Sequence, residues 1–282
     1  MGDPELIALK NLRKELLVKA CNLLEKLKKQ ETGYKDFVVI EEPDAMKENN
    51  VKKKVEHNEH KACEISRKVS NLTFENIDRK WLKDNSYNYT ALVATNCLKF
   101  HVALLVTLEE EEKFEICGIT CNYIDISKCY TLEIDPWIQT ISELKNFSLL
   151  TSVMVHYSEQ STFRKMVINN LKNAKYISDE PCTYNNGGIL IYVQSPENDE
   201  LKYLKIQWSV VFVEEVWKIE HYFVINALEA GHTFAKEKVE LLKALCKPKH
   251  TQQNLINLWE RLCSAVNLYE GRDENQTNII SK

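Results

Sequence analysis

Only seven of the 282 residues are glycine, so the chain has little material for loops that cradle phosphates. It contains no G-x-x-x-x-G-K-[ST], no G-x-G-x-x-G and no G-x-S-x-G, which sets aside P-loop, dinucleotide-binding and hydrolase-elbow readings together. Long apolar runs are missing as well. The longest, such as Val102 to Leu108, fall far short of the roughly 20 residues a membrane helix needs. Charge of one sign is not in excess either, because a net charge of −4 favours no polyanionic partner. The start, MGDPELIALKNLRKELL, is amphipathic and charged, unlike the basic stub and continuous apolar core of a secretory signal. Nine cysteines, an odd number spread through the chain, then point to reduced thiols in the cytosol or nucleus rather than a disulfide framework.

What is present begins with a stripe. Leu9, Leu12, Leu16, Ala20, Leu23 and Leu27 recur at helical spacing with lysines and glutamates between them, predicting an N-terminal amphipathic helix within residues 1–40. Such a stripe either docks on its own protein or pairs with a partner chain as a short coiled coil, which makes Leu9, Leu12, Leu16, Leu23 and Leu27 the candidate partner-binding residues. Residues 41–62, EEPDAMKENNVKKKVEHNEHKA, have almost no large apolar side chains and predict a flexible linker. Its Lys52, Lys53 and Lys54 are a solvated run in this reading, and direct DNA contact is not expected.

From about residue 63 the composition becomes that of a folded core. Leu98, Phe100, Val102, Leu104, Val106 and Leu108 alternate with Lys99, His101, Ala103, Leu105 and Thr107, placing one apolar row on one face of a strand. EEEEK, 109–113, turns the chain, and FEICGITC returns it as the second arm of a hairpin. The pattern then recurs: Leu204, Ile206, Trp208, Val210 and Phe212 form the apolar row, Glu214 to Trp217 make the turn, and Lys218-Ile219-Glu220 echoes Lys113-Phe114-Glu115. Matching faces over two whole hairpins are informative, because a slip of one residue inverts every side chain. An earlier strand precedes each hairpin, TALVATN from Thr90 and GILIYVQ from Gly188, the latter introduced by the turn signal Asn185-Asn186-Gly187-Gly188.

Helices follow each set of strands. Asp135 sits where an N-cap belongs and Pro136 at a first helical position, predicting a helix from there through Trp137, Ile141 and Leu144. A longer helical stretch runs from about Leu149 to Leu171 and links the two halves. VELLKALC and, capped by Thr251, QNLINLWERLCSAV close the second half, with Leu255, Leu258, Leu262 and Val266 on one face. The organisation expected is therefore an α+β fold of two tandem domains, 63–160 and 161–268, each an antiparallel meander packed on helices, with a disordered tail over 269–282.

No catalytic constellation emerges. Cys117, Cys121 and Cys129 lack the paired spacing of a zinc site, and as buried apolar thiols they need no metal. His101 and His221 fall on strands as polar-face or hydrogen-bonded residues, while His57 and His60 lie in the linker. No catalytic, metal-binding or cofactor-binding residue is assigned, no cofactor or small-molecule substrate is expected, and an enzyme is disfavoured.

Several segments in order carry a family likeness: NLTFENI from Asn71, the strand pair beginning LKFHVALLVTLEE, GITCNYIDISKC followed by TISELKNF, and the long helical segment ending FRKMVINNLKNAKYISDEP at Pro181. In this order the chain resembles the tandem RWD-domain kinetochore subunits of the centromere protein P family, over roughly 69–266. The resemblance implies two tandem RWD-like domains and a nonenzymatic scaffold of the inner kinetochore, in the constitutive centromere-associated network at the centromere in the nucleus. It further implies a heterodimer with a centromere protein O-like subunit and assembly with the Q, U and R subunits, in the service of chromosome segregation at cell division. The chain departs from many RWD domains in having no proline between Gly118 and Tyr130, and no cysteine has the His-Pro-Asn surroundings of a ubiquitin-conjugating site. A second reading is an RWD-type interaction adaptor in signalling or ubiquitin pathways. A third, a thiol or metal enzyme built on Cys117, Cys121 and Cys129, requires bound metal.

Overall fold

The computed structural model describes residues 71–110 and 113–280, preceded by Lys61, Glu64, Ile65, Arg67 and Lys68. The expected N-terminal helix, its partner-binding leucines Leu9, Leu12, Leu16, Leu23 and Leu27, and almost all of the expected linker lie outside the described residues. Residues 59–282 form one compact unit, and all that follows concerns it.

The unit is α+β, with two four-stranded antiparallel sheets and, among the described residues, five α-helices. Strands β1 (Thr73–Lys83), β2 (Ser86–Ala94), β3 (Lys99–Glu110) and β4 (Lys113–Tyr123) pair in chain order as a meander. Helices α1 (Lys128–Glu143) and α2 (Phe147–Asn173) follow. A second meander, β5 (Ile177–Pro181), β6 (Ile189–Gln194), β7 (Lys202–Val213) and β8 (Lys218–Ala227), has the same strand order. It is followed by α3 (His232–Glu237), α4 (Val239–Leu245) and α5 (Gln252–Ile280).

The two hairpins at the centre of these sheets share a register over their inner pairs, up to a shift between Leu105 and Val106 in β3–β4 that β7–β8 lacks, so Lys113-Phe114-Glu115 and Lys218-Ile219-Glu220 do not fall at matching positions. Phe100 pairs with Val93 and Tyr123, and Ile206 with Ile191 and Ile225; Val102 pairs with Ala91 and Cys121, and Trp208 with Ile189 and Phe223. Both rows of alternating residues point into cores, so the period-two pattern fixed the faces as expected. Each meander also has an edge strand beyond the three predicted, β1 and β5.

Two helix boundaries differ from expectation. Helix α1 starts at Lys128 after Ser127, so Asp135 is interior and Pro136 lies inside the helix. The stripe Cys129, Glu133, Trp137 and Ile141 is buried from its first member, and packing two further turns outweighs the hydrogen bond that a proline forfeits. Helix α2 ends at Asn173, close to the expected Leu171 and short of Pro181, where the segment of the family likeness ends. Lys175 adopts a left-handed φ of 62° and the Tyr176 N–H donates back to the Leu171 carbonyl, which closes the helix and releases Ile177–Pro181 as β5. Finally, α5 continues through the stretch expected to be a disordered tail. Tyr269 packs edge-on to Tyr203 and Phe234, and the Tyr203 hydroxyl donates to Glu270 at 3.0 Å, so burial extends past Val266. The α5 start agrees with expectation, since Thr251 Oγ1 accepts the Asn254 N–H.

Helix α2 serves both cores. Its first half buries Leu150, Val153, Met154 and Tyr157 with Phe100, Val102 and Trp137; its second half buries Phe163, Val167, Ile168 and Leu171 with Ile206, Trp208 and Trp259. The boundary expected near 160 thus falls inside one continuous helix. Val210 and Ile219 of the second sheet belong to the first core, so the two halves share packing rather than merely adjoining.

Candidate functional site

The most concentrated polar chemistry in the unit lies where the halves meet. Glu133 of α1 and Arg164 of α2 are both buried, 3 % and 1 % exposed, and form a two-pronged ion pair with N–O distances of 2.5 and 2.9 Å. The fully buried Tyr157 donates its hydroxyl to the same carboxylate. Burial and the Glu133 carboxylate beside it push the Tyr157 hydroxyl well above its ordinary value, which keeps it a donor.

The pair also completes a strand. Strand β6 ends at Ile189, opposite Trp208, and β7 runs on alone along that side to Val213. A central strand that outruns its neighbour leaves buried backbone groups that need partners. Glu133 Oε1 accepts the Val210 N–H at 2.7 Å, and Arg164 donates to the Trp208 carbonyl at 2.9 Å. One carboxylate from the first half and one guanidinium from the shared helix α2 therefore stand in for the missing strand residues of the second half.

The turn that stops β6 is fitted to the same place. Gly187 and Gly188 have φ of 66° and 87°, and the Gly188 N–H donates to the Cys129 carbonyl of α1 at 3.1 Å. Gln207 and Ser209 donate to the Gly187 carbonyl from the opposite face of β7. A methyl group at Gly188 would stand 2.4 Å from the Trp208 carbonyl, and at Gly187 2.2 Å from that of Cys129. Only glycine allows this approach.

Chemically, this is a joint rather than a reaction centre. Every oxygen of Glu133 is engaged by a donor, and the group is out of contact with solvent, so neither proton transfer nor attack on a substrate is open to it.

A second polar cluster lies between α2 and β8, where a cleft of about 490 Å³ is lined by His156, Gln160, Lys218, Glu220, His221 and His250 among others. His221 Nδ1 accepts the Trp208 indole N–H at 3.0 Å, so its proton resides on Nε2, 3.0 Å from Gln160 Oε1. Burial, reinforced by the Arg164 charge, pushes His221 down to about 3 and holds it neutral. His156 Nδ1 accepts the Ile219 N–H, and burial pushes this ring down too. These rings act as fixed hydrogen-bond partners of the backbone and of Trp208.

The expectation of buried thiols holds for Cys129, while Cys117 and Cys121 are half-buried. Cys117 and Cys121 lie on β4 as expected, and Cys129 is buried in α1 with its thiol 2.8 Å from Ser127 Oγ. Burial raises the Cys121 thiol to about 12, far from a thiolate at neutral pH. Among the described residues no group of three or more His, Cys, Asp or Glu side chains is placed to hold a metal ion. His101 is exposed on β3.

Glu133, Arg164 and Tyr157 were not singled out as a site by the sequence, yet two of them left a trace. Glu133 interrupts the stripe Cys129, Trp137, Ile141 at a spacing of four, and Arg164 interrupts Tyr157, Ser161, Ile168, Leu171. A charge inside an apolar stripe on each of two consecutive helices is the signature of a buried pair.

No family model matches the chain, and no curated protein matches it.

Proposed function

We propose that the chain is a nonenzymatic scaffold subunit of the inner kinetochore, built of two tandem RWD-like domains and pairing with a centromere protein O-like subunit. Assembly with the Q, U and R subunits in the constitutive centromere-associated network, at the centromere in the nucleus, follows from the same reading. The observation that carries it is the duplication: two meanders of one strand order, with hairpins in matching register over their inner pairs, fused by a buried ion pair and a helix that serves both cores. A polar centre spent wholly on joining the halves suits a rigid spacer and binding platform. Order of segments and the resemblance to the centromere protein P family supply the identity of the partners.

The test is affinity purification of the full chain from dividing cells, read by mass spectrometry. Centromere protein O with the Q, U and R subunits is the expected company. A set without centromeric proteins but with ubiquitin-pathway or signalling components would replace the reading with that of an RWD-type adaptor.

A further inference from the structure

The two hairpins differ in what lies over them. Ile219, opposite Phe212, corresponds to Ile116, opposite Val106; Ile219 is 4 % exposed, in one core with α1 and α2, whereas Ile116 is half-buried and Phe114, farther out opposite Leu108, is 66 % exposed. Pairing places Trp81, Tyr87, Val106 and Ile116 in one row across all four strands of the first sheet. By alternation this row shares the face of the buried Phe100 and Val102. Trp81, at its β1 end, is 61 % exposed. Among the described residues the apolar face of the first sheet therefore continues beyond its helical cover to Trp81 and Phe114, while in the second sheet Ile219 is roofed.

Two details describe what fits there. Next to this row, over Tyr89–Leu104 and Ala91–Val102, lies a hollow of about 180 Å³ lined also by Phe74, Ile77 and Phe147, the size of one aliphatic side chain with room to seat. In the adjoining row Arg79 stands opposite Tyr89, its guanidinium 5.7 Å from the Tyr87 ring centre. The rows named here carry this one cation and no carboxylate, so charge complementarity calls for an acidic group above it.

We propose that this face is the docking surface for an amphipathic helix of a partner protein, one aliphatic side chain filling the hollow and a carboxylate lying beside Arg79. A helix is the occupant because helices cover the equivalent stretch of the second sheet, where Val210 and Ile219 sit beneath α1 and α2. Strand addition is disfavoured at the neighbouring edge: β1 carries a register shift between Glu75 and Asp78 with Asn76 at a φ of 52°, and Asp78, Arg79, Lys80 and Lys83 charge it. The owner of the helix rests on the pairing proposed above; the surface and its chemistry do not.

The full chain is co-expressed with the centromere protein O-like subunit, as wild type and as Phe114→Glu, Trp81→Glu, Arg79→Glu, Arg79→Lys and Tyr222→Glu. Tyr222 is an exposed residue of the second sheet, so its variant controls for an added charge. The expected result is an affinity loss of about tenfold or more for the Phe114, Trp81 and Arg79→Glu variants, with Arg79→Lys and Tyr222→Glu close to wild type. If the wild type pairs and the three face variants pair equally well, the docking surface is overturned and the pairing stands. If the wild type does not pair, the partner assignment fails, and a synthetic leucine-heptad peptide flanked by glutamates decides the surface by fluorescence anisotropy. Binding that Phe114→Glu abolishes and a lysine-flanked peptide does not reproduce supports the inference. Absence of binding, equal binding of both peptides, or self-association of the wild type that Phe114→Glu removes overturns it.

Discussion

Arg164 holds Glu133 with two guanidinium nitrogens, at 2.5 and 2.9 Å, and the two residues together satisfy the unpaired flank of β7. Replacing either partner strands a buried charge and one backbone group of β7, the Val210 N–H for Glu133 or the Trp208 carbonyl for Arg164. Glu133→Gln and Arg164→Met are each expected to cost about 3–5 kcal/mol in urea denaturation. The double variant should cost clearly less than the sum, because the second substitution removes the charge that the first left unpaired. Additive losses would mean that the residues act independently.

The Gly187–Gly188 turn gives a sharper steric test. Gly188→Ala combines a φ of 87° with a contact of 2.4 Å to a backbone carbonyl, and its expected loss exceeds about 2 kcal/mol. Gly271→Ala is the counterpart, since a methyl there meets nothing within 4 Å and the position lies inside α5. It is expected to raise stability by roughly 0.5–1 kcal/mol. Melting temperatures of the two variants should move in opposite directions.

His221 sets an acid limit on the fold. Its folded value, about 3, lies below its ordinary 6.5, so the unfolded chain takes up the proton more readily. The stabilising contribution is complete above about pH 6.5 and is lost as the pH falls from there towards 3. Between pH 7 and pH 5 this residue alone is expected to remove roughly 2 kcal/mol. His221→Gln, which cannot ionise, should flatten the dependence over that interval. An unchanged slope in the variant would assign the acid sensitivity elsewhere.

The sheets were legible from the sequence because alternation is a two-residue signal that a short strand displays in full. Both hairpins, the turn at Glu214–Trp217 and the α5 cap at Thr251 fall where the residues place them. Edge strands β1 and β5 were harder: β1 is exposed along most of its length and so lacks an apolar row, and β5 has five residues behind a helix that gives no glycine stop. Asp135-Pro136 misled for a physical reason, since a local cap signal lost to the burial of Cys129, Glu133 and Ile134 upstream. The joint is a relation between distant segments, and what single residues reveal of it is only the two charges set into apolar stripes.

The most direct test of the whole account is the mass, by size-exclusion chromatography with light scattering, of the full chain co-expressed with a centromere protein O homologue. The account predicts one peak with the mass of a 1:1 pair that persists on dilution to micromolar concentration. Two separate monomer peaks at that concentration would contradict it.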